Sequence, residues 1–206
     1  MDIRNTDWNE RYLSKDTPWD NGAFSAELDK RCAEWHLTPH KYPRLLDIGC
    51  GTGTNALEFA KRGFQVTACD LSEDAIRQAK EKARKAKAEV QWVQADFLNH
   101  DWKVPPFPLL MDRGCYHILR QVNINRFLSV MDRLTHKGSL FFVLTGSTNS
   151  MEEMGPPKVS AEEMCRELGQ IFHLKDLREF HFEGVRMGEL ETSPIGWSAV
   201  WEKPTQ

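Results

Sequence analysis

Apolar positions alternate along this chain between short unbroken runs and longer stretches at helical spacing. The runs "RLLDIG" (44–49), "FQVTACD" (64–70), "VQWVQAD" (90–96), "PLLMD" (108–112) and "SLFFVLTG" (139–146) predict five buried strands. Between them, "TNALEFAKRG" (54–63) predicts a helix stopped by Gly63. "SEDAIRQAKEKARKAKA" (72–88) predicts a long helix with Ser72 as cap and acids in its first turn. "NINRFLSVMDRLTHKG" (123–138) predicts an amphipathic helix ending at glycine. Strands that alternate with helices imply right-handed crossovers and a parallel sheet covered on both faces.

The two ends break this rhythm. Residues 1–42 read as helical pieces around the turn "KDTPWDNG", with Trp8, Tyr12 and Leu13 on one helical spacing and Phe24, Leu28 and Trp35 on another. Near the other end, "SAEEMCRELGQIF" (160–172) opens with Ser160 and Glu163 in a capping-box pattern. The strand-like runs 174–184 and 196–203 follow with no room for a helix between them, so they are expected to pair antiparallel.

Composition narrows the class. A chain of 206 residues suits one domain with a substantial core. A net charge of −3 argues against a general polyanion binder, and no nucleic-acid partner is expected. No apolar run approaches the roughly 18 residues of a membrane span, and the polar N-terminus lacks the apolar core of a signal peptide. The five cysteines are scattered without a CxxC pair, which favours reduced thiols and a cytoplasmic location. No metal site is expected: Pro39 separates His36 from His40 and makes a shared helical face unfavourable.

The chemistry concentrates at the strand ends. Gly49, Gly51 and Gly53 follow a strand and precede a helix, where glycine lets the backbone turn tightly and a ligand approach closely. Asp70 closes the second strand, where a carboxylate can accept hydrogen bonds from both hydroxyls of a ribose. Read from Gly51, "GTGTNA" satisfies GxGxxA and leaves a nicotinamide cofactor open. Read from Asp47, the stretch is DxGxGxG, and an acid there would repel a pyrophosphate but favour a ligand with an ammonium group. Asp96 ends the third strand, where an adenine amine would lie. Three acids at three successive strand ends favour S-adenosylmethionine.

"LLDIGCGTGTNALEFAKRG", Asp70, "QADF" and the antiparallel ending resemble a class I S-adenosylmethionine-dependent methyltransferase over about residues 43–203. "WNERYLSKDTPWDNG" combined with "MDRGCYH" (111–117) is similar to the group of thiopurine S-methyltransferases and halide/thiol methyltransferases. The resemblance implies an α/β, Rossmann-like, doubly wound, seven-stranded and mostly parallel sheet with a C-terminal antiparallel hairpin. It also implies an N-terminal helical lid over residues 1–42 and a methyltransferase domain over 43–206. The implied reaction uses S-adenosyl-L-methionine, yields S-adenosyl-L-homocysteine and methylates a small soft nucleophile: a thiol, a thiopurine-like compound, a halide or a chalcogen species. Methylation of oxygen or nitrogen on a small metabolite is the alternative.

Carried across, Trp8, Tyr12 and Trp19 would line the cofactor from above, and Arg113 would sit close to it from the fourth strand. The expected cofactor contacts are these four with Asp47, Gly49, Gly51, Gly53, Asn55, Asp70, Leu71, Asp96, Phe97 and Asp112. No catalytic side chain is assigned, and the candidates are His117, Asp112 and Tyr116. His117 is the best general base for a hydroxyl or amine acceptor; a thiolate or halide would need none. A small-molecule substrate, no membrane and a monomer or weak dimer complete the expectation.

Overall fold

The computed structural model describes residues 6–152, 155–183, 185–187 and 190–205. Residues 1–5 of the expected lid segment and Gly184, at the end of the expected strand 174–184, lie outside the described residues. The chain runs α1 (Trp8–Leu13), α2 (Ala26–Glu34), β1 (Arg44–Ile48), α3 (Thr54–Lys61), β2 (Gln65–Asp70), α4 (Glu73–Ala86), β3 (Gln91–Gln94) and β4 (Phe107–Arg113). It continues through α5 (Tyr116–Leu134), β5 (Thr135–Ser147), β6 (Lys158–Val159), α6 (Ala161–Leu168) and β7 (His173–His181). β8 (Val185–Met187), β9 (Leu190–Thr192) and β10 (Ile195–Glu202) complete it.

The main sheet has the order β3-β2-β1-β4-β5-β10-β7, and the two-residue β6 joins it beside the end of β5. β1 pairs in parallel with β2 on one side and β4 on the other, so Ile48 stands opposite both Cys69 and Asp112. The strand order reverses at this point, and in open α/β sheets the ligand crevice lies beyond the strand ends at such a reversal. β10 inserts antiparallel between β5 and β7. The terminal pair is therefore not a tight hairpin: β8 and β9 form their own antiparallel ribbon in the connection.

Consecutive strand residues point to opposite faces, and each apolar pair feeds two cores. Leu46, Leu110, Phe141 and Trp201 pack with Phe127, Met131, Met164 and Leu168 of α5 and α6. Their neighbours Leu45, Leu109, Phe142 and Val200 pack with Leu28 of α2 and Ala56 and Phe59 of α3 on the other side. That explains strands that read as continuous hydrophobic runs.

Two boundaries differ from the sequence pattern. α5 begins at Tyr116, not Asn123, because the Asp112 carboxylate accepts from the Cys115 and Tyr116 N–H groups and starts the helix early. Asn123 leaves helical geometry (φ −164°, ψ 95°), and its Oδ1 accepts from the Arg126 N–H at 2.9 Å, restarting the helix where the periodicity begins. The helix ends at Leu134, and β5 starts at once with Thr135, so residues 135–138 belong to the strand.

The N-terminal segment is anchored through Arg31, a fully buried side chain of α2. Its Nε donates to Ser198 Oγ and its Nη2 to Ser198 O, both at 2.7 Å, while Nη1 pairs with Asp176. A single guanidinium thus joins α2 to β10 and β7. Among the described residues, no helix is long and apolar enough to cross a membrane, and all five cysteines are free thiols.

Candidate functional site

The crevice is floored by the turn between β1 and α3. Gly49, Gly51 and Gly53 all adopt positive φ (67°, 54° and 77°), a region costly for residues with a side chain. A Cβ on Gly49 would meet Cys115 Cβ at 2.5 Å, and one on Gly53 would meet the Trp92 ring at 2.4 Å. A Cβ on Gly51 would lie 2.8 Å from the Tyr12 hydroxyl. Gly53 caps α3 without a side-chain hydrogen bond, so the first turn keeps free backbone donors.

Two of the expected acids converge on this turn. Asp70 accepts from the Gly51 N–H at 2.8 Å and from the Ser72 N–H at 2.9 Å. Burial raises its pKa, and those backbone donors oppose the rise. Asp47 is buried, and its Oδ2 has no hydrogen-bond partner among the described residues. Burial, together with the Asp112 and Asp70 carboxylates, pushes its pKa up to about 8. A buried carboxyl oxygen without a donor, surrounded by other acids, is complementary to a cation.

Asp96 is placed differently. Its two oxygens accept from the Leu98 N–H (2.9 Å) and Asn99 Nδ2 (2.7 Å), so it also fastens the turn after β3. The Phe97 ring packs in the core against Trp102 and Phe127, which leaves only its backbone to face a ligand. Leu71, in contrast, is 51% exposed beside Asp70.

The N-terminal segment closes over the glycine turn. Trp19 stacks edge-on with Trp8 and Tyr12, at centroid distances of 5.8 and 6.2 Å. Its Nε1 donates to the Tyr12 hydroxyl at 3.4 Å, and the Arg11 guanidinium lies 4.5 Å from its ring. Asp20 does not cap the next helix, a task Ser25 performs. Asp20 Oδ2 instead accepts from Thr52 Oγ1 at 2.5 Å, and Thr52 accepts from Lys82 of α4. Asn55 Oδ1 accepts from the Ser25 N–H at 3.3 Å, facing this segment. Arg113 donates to the Trp19 carbonyl at 3.3 Å and lies 5.6 Å from the Phe182 ring. Its buried Nε has no partner among the described residues.

Three contributors escaped the sequence reading. Asn9 Oδ1 accepts from Ser72 Oγ and the Asp74 N–H, both at 2.9 Å, binding α1 to the start of α4. Thr52 and Lys82 form the latch to Asp20. Thr52 lies inside the glycine motif and could have been singled out as a hydroxyl there; Asn9 and Lys82 carry no local signal.

Each of the three catalytic candidates has partners of its own in the structure. The Asp112 carboxylate is fully buried, committed to the N–H groups of Cys115 (2.9 Å) and Tyr116 (2.7 Å), and raised to about 7 by burial. It starts α5 and offers no free oxygen edge for proton transfer. Tyr116 is fully buried and donates to Glu167 Oε2 at 2.7 Å, within an Arg120–Glu163–Glu167 network that joins α5 to α6. Its ring belongs to the core. His117 Nδ1 lies 3.1 Å from Thr145 Oγ1 and accepts from the Gly146 N–H at 3.4 Å. Burial, reinforced by the Arg120 charge, lowers its pKa to about 3. That imidazole is too weakly basic to take a proton at neutral pH.

Comparison with known proteins bears on the same elements. A family model described as a methyltransferase domain matches residues 45–138, which hold the glycine turn and Asp47, Asp70, Asp96 and Asp112. An uncharacterised methyltransferase of Schizosaccharomyces pombe is 28% identical over 102 residues, covering 50% of this chain and 70% of the relative. A solved protein of echinomycin biosynthesis, described for conversion of a disulfide bond into a thioacetal group, superposes with a TM-score of 0.81. It is 22% identical, with 95% of this chain and 90% of that one covered. The 1,6-didemethyltoxoflavin-N1-methyltransferase of Burkholderia thailandensis, solved with 1,6-didemethyltoxoflavin and S-adenosylhomocysteine, gives a TM-score of 0.73. It is 18% identical over 98% of this chain and 88% of its own. At these identities the solved structures show a shared fold, while the family match displaces the nicotinamide reading of "GTGTNA". The methyltransferase domain matched over the glycine turn and the strand-end acids, with the similarity to known methyltransferases, marks this chain as an S-adenosylmethionine-dependent methyltransferase.

Proposed function

We propose that this methyltransferase acts on a small, soft nucleophile: a thiol, a thiopurine-like compound, a halide or a chalcogen species. One observation carries the reading. The basic atom of each side chain expected to serve as a base is engaged: Asp112 at the helix start, Tyr116 with Glu167, and the His117 Nδ1 lone pair with Thr145 and Gly146. An acceptor that reacts here must bring its own ionised or polarisable electron pair, which soft nucleophiles do. "WNERYLSKDTPWDNG" and "MDRGCYH" support kinship with the thiopurine and halide/thiol group as part of the same proposal.

When bound, the cofactor supplies a methyl group activated by a sulfonium centre. The residues fit it. Asp70 faces the ribose hydroxyls, and the orphaned Asp47 Oδ2 and Arg113 Nε are complementary to the ammonium and carboxylate of its amino-acid end. The glycine backbone, including the free donors at the start of α3, allows close approach, and Asn55 borders that turn. Asp96, Leu71 and the Phe97 backbone take the adenine. Trp8, Tyr12 and Trp19 cover the reacting end as a lid formed by residues 1–42, excluding water and presenting aromatic faces to a cation. The partner is a small molecule, not nucleic acid or a membrane, and the protein is a cytoplasmic monomer or weak dimer.

A screen with radiolabelled cofactor tests the proposal across thiols, halides, heavier chalcogen oxyanions, phenols and amines. Label transferred to the thiols, halides or chalcogen species is the expected result. Transfer confined to phenols or amines would overturn it in favour of oxygen or nitrogen methylation.

A further inference from the structure

We propose that His117 is a fixed hydrogen-bond donor that holds the methyl acceptor as an anion. The inference rests on the soft-nucleophile reading and deepens it, because it states the charge in which the acceptor binds. The Gly146 backbone N–H can only donate, so the Nδ1 it approaches at 3.4 Å carries a lone pair. Thr145 Oγ1, 3.1 Å from the same nitrogen, then donates to it as well. The proton of the neutral ring is thereby assigned to Nε2. Among the described residues Nε2 has no hydrogen-bond partner, yet it is not one of the buried atoms left without one. It therefore keeps accessible surface of its own, at the ends of β4 and β5 where an acceptor would approach. Its position agrees: His117 follows β4 directly, where Arg113 pairs with Leu144 of β5. Only backbone stands at Gly114 (φ 89°), whose Cβ position would be 3.8 Å from Nε2.

Burial keeps the ring neutral, and the nearest charge reinforces it. Arg120 on the same helix repels a second proton and is itself held by Glu163 and Glu167 of α6. Asp112 and Arg113 precede the ring on β4, and β5 faces it with the uncharged Thr145 and Gly146. An Nε2–H in such a site stabilises a thiolate or selenolate and cannot accept a proton from the neutral acid. The acceptor's lone pair forms the new bond to the methyl carbon as the carbon–sulfonium bond breaks, leaving that electron pair on sulfur. Anion and cation give two neutral products, and no proton is removed at the reacting centre. Acceptors must therefore enter ionised, and below its pKa each loses about tenfold in rate per pH unit. Thr145 is the positioning residue: its hydroxyl fixes the tautomer without touching the acceptor.

Two measurements test this. Nitrogen NMR of ¹⁵N-histidine-labelled protein should assign His117 to the neutral Nε2–H tautomer from pH 5 to 8, with or without cofactor. A proton on Nδ1, or titration within that range, overturns the proposal whatever the acceptor proves to be. pH–rate profiles are then taken with thiols and phenols of graded acidity. The profile midpoint should follow each acceptor's own pKa. His117→Gln, whose amide N–H can reach the same position, should stay within about tenfold of wild type, while His117→Phe loses about 10- to 100-fold. A midpoint that is the same for every acceptor and vanishes in His117→Gln identifies a base and refutes the donor role. Turnover of phenols alone, with midpoints that follow their pKa, refutes the soft-nucleophile reading and upholds the donor.

Discussion

Replacing Trp19 with alanine would dissolve the aromatic cluster over the glycine turn. The side chain makes two edge-to-face contacts, with Trp8 and Tyr12, each worth about 0.5–1.5 kcal/mol. The Arg11 guanidinium over its ring adds about 0.5–1 kcal/mol at a half-exposed site. The 3.4 Å hydrogen bond to Tyr12 is long and contributes about 0.5 kcal/mol at most. Together these give about 2–4 kcal/mol of local order in residues 8–22. Much of the fold is insulated from that loss, because Arg31 anchors α2 independently to β7 and β10. Trp19→Ala should accordingly weaken S-adenosylhomocysteine binding by about 30- to 700-fold, at 1.4 kcal/mol per tenfold. Isothermal calorimetry measures that loss, and hydrogen exchange should show faster exchange confined to the first 22 residues. Affinity within twofold of wild type, with unchanged exchange, would refute the reasoning and make "KDTPWDNG" an ordinary surface turn.

The remaining predictions concern the turn and the buried acids. Gly53→Ala places a methyl group at φ 77° and 2.4 Å from the Trp92 ring, so it should cost about 2–4 kcal/mol; an urea midpoint equal to wild type would show that the turn relaxes freely. Asp47 and Asp112, raised by burial to about 8 and about 7, contribute stability that is complete below about pH 4 and is lost as pH rises through those values. His117, lowered to about 3, contributes stability present above its unfolded value of about 6.5 and lost as pH falls. The melting temperature of the ligand-free protein should therefore peak near pH 4 and fall as pH rises to about 8, because two raised acids outweigh the one lowered histidine, and Asp47→Asn should make that fall shallower. A melting temperature that climbs steadily to pH 9 would contradict the assignment of these shifts. Because a cationic ligand favours ionised Asp47, cofactor binding near pH 7 should also release a proton, seen as a buffer-dependent calorimetric enthalpy; proton uptake would exclude Asp47 as the counter-ion.

How far the sequence reveals this molecule depends on the range of each interaction. The strands β1, β2, β4 and β5 were legible because their residues are buried on both faces and appear as unbroken apolar runs. Gly49, Gly51 and Gly53 were legible because a positive φ narrows the choice of residue. The start of α5 was not, since it depends on a carboxylate in the preceding strand and the periodicity resumes only after Asn123. The roles of Tyr116 and His117 were hidden for a similar reason. Their partners Glu167, Thr145 and Gly146 lie far along the chain, and a side chain's free valence is decided by what folds against it. The latch Asp20–Thr52–Lys82 likewise joins three separate segments and leaves no local pattern.

Calorimetric titration with S-adenosylhomocysteine, comparing wild type with Asp70→Ala, tests most directly that the crevice at the ends of β1, β2 and β4 is the cofactor site. Asp70→Ala removes the carboxylate expected to accept both ribose hydroxyls, at about 1.5–3 kcal/mol per hydrogen bond to a charged group. The account predicts one site in the wild-type protein, a loss of at least about tenfold in affinity in the variant, and no binding of NADH by either. Undiminished S-adenosylhomocysteine affinity in a folded Asp70→Ala protein would contradict it.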